Sequence, residues 1–117
     1  MTGNKKAKYL AQCPTYGELD FILPEGFVDD TTHEDDVPKF IRQISGERYL
    51  RLTADYLVQS ERMHPDEARF ALHLCDEELN AIADLEFTDD IVDVIEFLSK
   101  HTIDGEIEIA DSRKPGP

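Results

Sequence analysis

Hydrophobic positions along this chain recur at two spacings. Leu19, Phe21 and Leu23 alternate, which predicts a short strand over 18–23 with one buried face. Val37, Phe40, Ile41 and Ile44 then share one helical face. Asp36 is placed to cap that helix, Pro38 is tolerated in its first turn, and Gly46 suits its end. A hairpin turning at Ser45-Gly46 is the competing reading; the adjacent Phe40 and Ile41 break the alternation that a strand would show. Glu47 to Met63 predicts a second helix, with Leu50, Ala54, Leu57 and Val58 as its inner stripe and Tyr49 and Tyr56 beside it. His64-Pro65 ends it, because the residue before proline avoids helical geometry.

A third helical region starts at Pro65-Asp66-Glu67. Ala68, Leu72, Cys75, Leu79, Ile82 and Leu85 step by three or four, and Asp76-Glu77-Glu78 marks a break, with Asp76 as a cap. Thr88 is the predicted cap of the last helix, whose inner face is Ile91, Val94, Ile95 and Leu98. Lys100 and His101 fall at its negative end, where cations are favoured. Ile107 and Ile109 alternate with Glu106 and Glu108, a strand signal preceded by an Asp104-Gly105 turn. Its natural partner is the strand at 18–23.

The resulting expectation is an α+β fold: a single small domain of four or five helices, with a small antiparallel sheet pairing N- and C-terminal strands. Residues 1–13 read as a flexible basic arm, 14–110 as the domain and 111–117 as a frayed tail. The expected core is Val37, Ile41, Ile44, Leu50, Leu57, Leu72, Leu79, Ile82, Ile91, Val94, Ile95, Leu98, Ile107 and Ile109.

Composition narrows the class. The 117 residues are the size of one ordinary domain, and 40% of them are hydrophobic, enough for a modest core. The apolar runs are too short to span a bilayer, and the N-terminal lysines are not followed by the apolar stretch of a secretory signal, so the expected location is the cytoplasm. Cys13 and Cys75 lie far apart with no CxxC partner and read as free thiols.

Charge changes the picture most. The net charge is −14, and it is unevenly spread. Residues 15–36 carry eight acids and no base; residues 64–111 carry fifteen acids against Arg69 and Lys100. Between them lies a mildly basic stretch with Lys39, Arg42, Arg48, Arg51 and Arg62. Phosphate binding needs a basic stripe that displaces counterions, so direct nucleic-acid binding is not expected. A negative field instead speeds the encounter with a basic partner.

Searching for chemistry removes alternatives. No GxxxxGK[ST] loop, GxGxxG turn or GxSxG elbow is present. His33, His64, His73 and His101 are dispersed; on a helix, His73 would simply pair with Arg69 and Glu77. The acidic loop 29–36 lacks the central Gly and closing Glu of a calcium loop. No catalytic residue, metal ligand or cofactor is therefore assigned.

What remains is an acidic surface made by Asp66, Glu67, Asp76, Glu77, Glu78, Asp84, Glu86, Asp89, Asp90, Asp93 and Glu96, which fall mostly off the apolar stripes. In size and charge the chain resembles small phage and plasmid inhibitors and the immunity proteins that neutralise nuclease toxins. The first expectation is a non-enzymatic, nucleic-acid-mimicking binder that occupies the basic surface of a partner such as a nuclease, with Phe87 or Tyr56 as a central anchor. The second is an assembly chaperone or adaptor, for example in a phage tail or secretion system, that holds a partner in an apolar helical groove. The third is an enzyme with an unrecognised carboxylate site.

Overall fold

The computed structural model describes residues 8–13, 16–44 and 47–109. Its centre is a five-stranded antiparallel sheet in which each strand pairs with the next: β1 (Val28–Asp29), β2 (Lys39–Ile44), β3 (Arg48–Ala54), β4 (Phe70–Cys75) and β5 (Ala81–Thr88). A short helix, α1 (Lys8–Gln12), precedes the sheet. A longer one, α2 (Ile91–Lys100), follows it, and a small hairpin of β6 (Thr102–Ile103) and β7 (Glu106–Ile107) comes last. The expected helical domain is thus overturned, since only α2 is a helix of more than two turns among the described residues.

The reason lies in period-two patterns that helical spacing overlays. In β3, Leu50, Leu52 and Ala54 point one way and Tyr49, Arg51 and Thr53 the other. In β4, Phe70, Leu72 and Leu74 are buried between the half-buried Ala71 and His73. Cross-strand pairing sets Phe40 beside Leu52, Leu52 beside Leu72, and Leu50 beside Leu74, so these residues build one apolar face. An antiparallel sheet of this kind needs cover on one side only. In β5 the pairing slips twice, between Leu72 and His73 and between Leu74 and Cys75, which leaves Leu85 and Ile82 as extra residues. Each bulge turns a step of two into a step of three. That is why Leu79, Ile82 and Leu85 imitate a helical stripe.

The expected helix over 37–45 is strand β2. The hairpin reading was correct in kind, with Ile44 paired to Arg48 across the turn and Glu47 left-handed at φ 58°. Ser45 and Gly46 lie outside the described residues. The expected helix 47–63 is β3 followed by a loop with one 3₁₀ turn, Gln59–Glu61. Leu57, expected in the core, and Val58, expected on the inner stripe of that helix, are 59% and 51% exposed.

α2 lies against the apolar face over β4 and β5 and buries Val94 and Leu98. Each such side chain stabilises the fold by about 1.5–3 kcal/mol. Ile95 does not join them; it is 39% exposed. Asp90, not Thr88, caps the helix by accepting the Val92 N–H at 3.0 Å, and the Thr88 hydroxyl donates to Asp93 at 2.6 Å. The rest of the face is covered by the segment leading into β1, where Leu19, Phe21 and Leu23 face inward while Asp20 and Ile22 are exposed. This segment keeps the predicted alternation but forms no strand.

The strand at 106–107 is therefore not its partner. β7 pairs with β6 across Asp104 and Gly105, both left-handed at φ 53° and 83°, which makes the predicted Asp-Gly turn a tight two-residue hairpin. Ile107 is buried in the core, and Ile109 packs partly against it. Of the remaining expected core, Val37, Leu50 and Leu72 are buried, while Ile41, Ile44, Leu79, Ile82 and Ile91 are half-buried. Within the stretch expected as a basic arm, Tyr9 and Cys13 are buried. The expected tail, 111–117, lies outside the described residues.

Candidate protein-binding surface

One buried cation organises the end of the sheet where α2 begins. Arg69, just before β4, is almost fully enclosed and sits over the rings of Phe21 and Phe70. Its guanidinium grips both carboxylate oxygens of Asp20, donates to the Asp55 carbonyl at 2.9 Å, and donates to the Tyr16 hydroxyl at 3.1 Å. Asp55, also buried, accepts from the backbone N–H groups of Tyr56, Met63 and His64 and so holds the loop between β3 and β4. Burial pushes the Tyr16 phenol up to about 12.

The acids expected to form one surface fall into different places. Asp76 is buried, and its carboxylate accepts the N–H groups of Glu78 and Asn80, both at 2.9 Å, closing the turn between β4 and β5. The expectation that Asp76 is exposed is thus corrected: in a hairpin this tight, the carboxylate satisfies backbone donors that the ladder leaves over. Asp76→Ala is expected to cost about 1–3 kcal/mol by orphaning those donors. Urea unfolding checks this, with Glu78→Gln as an unaffected control.

Asp89 is exposed but committed. It accepts the Arg69 N–H at 2.8 Å and an Arg62 N–H at 3.2 Å, and the Arg69 N–H holds its carboxyl below the usual range. Asp90 and Asp93 are engaged at the start of α2, as described above. Asp84 lies 3.3 Å from His73. Glu77 and Glu78 stand exposed at the β4–β5 turn, and Asp66 and Glu67 stand exposed in the loop before β4. The length of β5, about 3.3 Å per residue over its strand, separates the two ends.

Three of these acids do come together. Glu86 from β5 and Asp93 and Glu96 from α2 line an open cleft of about 180 Å³ with Phe97 and Lys100. β5 and α2 are neighbours because the turn between them is short and α2 packs back onto the strand it follows. Asp89 and Asp90 continue this acidic edge around the helix start. Phe87 on the other side of β5 is 51% exposed.

Within this edge Lys100 lines the cleft and Arg62 pairs with Asp89, so acids outnumber cations there without standing alone; the other cations are turned elsewhere. Lys39 reaches Asp30 and Asp35 at 3.6 and 3.4 Å. Arg42 donates to the Glu25 carbonyl and Arg51 to the Leu79 carbonyl. Arg62 and Arg69 are spent on Asp89 and Asp20.

His73 was missed as a strand residue. It stands on β4 opposite Arg51, edge-on to Phe87, and not between Arg69 and Glu77. Burial and then Arg51 hold its imidazole below the usual range, which favours the neutral ring. The Leu72-His73-Leu74 alternation was the signal available in the sequence. No group of His, Cys, Asp and Glu among the described residues is arranged to hold a metal ion.

Cys13 and Cys75 are both buried free thiols. No helix among the described residues is long and apolar enough to cross a membrane. Comparison with protein families, with curated proteins and with solved structures finds no match to this chain.

Proposed function

We propose that this protein is a non-enzymatic, cytoplasmic binding domain that docks a basic protein partner through the acidic edge of β5 and α2. The observation that carries this reading is the convergence of Glu86, Asp93 and Glu96, against the one cation Lys100, on one open cleft while Lys39, Arg42, Arg51, Arg62 and Arg69 are turned to the chain's own acids and carbonyls. Long-range attraction then acts in one direction, toward positive surfaces. A nucleic-acid-handling protein, such as a nuclease held in check by an inhibitor, presents such a surface, and the binder would occupy the place of the phosphates. Asp89 and Asp90 extend the edge. Asp66, Glu67, Glu77, Glu78 and Asp84 contribute field rather than contact, and Asp76 contributes the turn.

Affinity capture from the host at low salt tests this. The retained protein is expected to be basic, to elute as salt rises past physiological strength, and to be displaced by duplex DNA. Retention of a neutral protein that resists salt and DNA would sink the reading.

A further inference from the structure

A second cleft, of about 170 Å³, opens at the Arg69 end of the sheet. A cavity of that order holds a molecule the size of benzene. Its walls are two aromatic rings, Tyr16 and Tyr56, whose centroids lie 5.1 Å apart at an interplanar angle of 43°. Glu18, Asp20 and Glu61 supply carboxylates, and the exposed Leu57 and Val58 form an aliphatic lip.

We infer that this cleft is a subsite for an organic cation, the guanidinium of an arginine side chain carried by the basic partner. A flat, weakly hydrated cation stacks on aromatic faces and pairs with carboxylates, and its aliphatic stem packs on apolar lips. The charge balance fits. Arg69 at the floor is matched by the Asp20 carboxylate, while the Glu18 and Glu61 carboxylates make no ion pair or hydrogen bond among the described residues. The cleft therefore presents a surplus of two negative charges to an incoming cation. Its geometry is fixed in advance, because the Tyr16 hydroxyl donates to the Asp55 carbonyl at 3.1 Å while accepting from Arg69, and Asp55 pins the loop that carries Tyr56, Leu57 and Val58. A prearranged pocket loses less freedom on binding than one that must be built.

The inference rests on the reading of the chain as a binder of basic proteins and names the side chain that would anchor the partner. Its test needs no partner. The whole protein is titrated with arginine amide at millimolar concentrations and followed by backbone amide NMR, with norleucine amide, which keeps the α-amine but lacks the guanidinium, as the control. Saturable shifts centred on Tyr16, Glu18, Tyr56, Leu57, Val58 and Glu61 are expected with arginine amide only. Glu61→Gln and Tyr56→Leu should each weaken binding about twofold to fivefold, as expected for one exposed ion pair or one ring. Glu61 is exposed and its carboxylate makes no hydrogen bond or ion pair among the described residues, so its variant keeps the test valid even if Tyr56→Leu disturbs the loop.

Equal shifts with norleucine amide, shifts spread over the acids of α2 to the same degree, or unchanged affinity in Glu61→Gln would overturn the subsite. A cleft that takes arginine amide in a protein that captures no basic partner would instead sink the proposed function and leave the subsite standing. The reverse result would leave the function standing without this anchor.

Discussion

Replacing Arg69 with Met is expected to lower the stability of the fold by about 3 kcal/mol, near the lower end for breaking a buried ion pair. The lower end applies because Asp20 keeps part of its carboxylate in water. Met fills the volume over Phe21 and Phe70 but leaves the Asp20 carboxylate without its cation, the Tyr16 hydroxyl without a donor, and the Asp55 carbonyl with only the Tyr16 hydroxyl of its two donors. Arg69→Lys should recover little, because a point charge cannot grip Asp20 with two parallel bonds and still reach Asp55. Acid should act on the same pair. The hydrogen bonds from Arg69 hold the Asp20 carboxyl below its ordinary value, so the folded state takes up this proton at lower pH than the unfolded chain. The pair's contribution is complete above the ordinary carboxylate value of 3.8 and is lost as pH falls through the lower folded value. Urea midpoints measured from neutral pH downward should show wild type and Arg69→Met converging at the acid end. Parallel curves would mean that Asp20 and Arg69 do not titrate as a pair.

Leu72→Ala should cost about 2–5 kcal/mol, the range for emptying a fully buried leucine site. Leu72 is completely enclosed on β4, between Leu52 on one neighbouring strand and Glu86 on the other. The informative contrast is on α2. The helical stripe read from the sequence treats Ile95 as core, whereas the structure exposes it and buries Val94 completely. Ile95→Ala should therefore cost less than about 1 kcal/mol, in the range of surface substitutions rather than of cavities. A loss at Ile95 as large as that at Leu72 would place the helix in a different rotation on the sheet.

These two positions show what the sequence could reveal. α2 was legible because Ile91, Val94 and Leu98 follow a single period and an acidic N-terminus precedes them. The tight turn at Asp104-Gly105 was legible because that pair tolerates left-handed backbone. β3 and β4 were not read as strands, although Leu50, Leu52 and Ala54, and Phe70, Leu72 and Leu74, alternate cleanly. Apolar residues on the second face, Ile41 and Tyr49 among them, supplied enough extra positions to complete a helical stripe. The bulges at Ile82 and Leu85 shifted the spacing of β5 from two to three, and no local signal marks a bulge that contains no glycine.

The acidic surface was legible as a sum and not as a place. Glu86, Asp93 and Glu96 meet only because α2 folds back on β5, whereas Asp76 looks like any surface acid until the hairpin turn encloses it. The Tyr16–Tyr56 cleft joins residues forty positions apart through Arg69, and a pattern read along the chain cannot see that junction.

The most direct test of the acidic edge is the association rate of the captured partner, measured against ionic strength for wild type and for Glu86→Gln/Asp93→Asn/Glu96→Gln. Wild type should associate fast at low salt and slow steeply as salt rises. The triple variant should associate more slowly and with a flatter salt dependence, with dissociation changing less. Identical association rates and salt slopes for the two proteins would contradict the assignment of this edge as the binding surface.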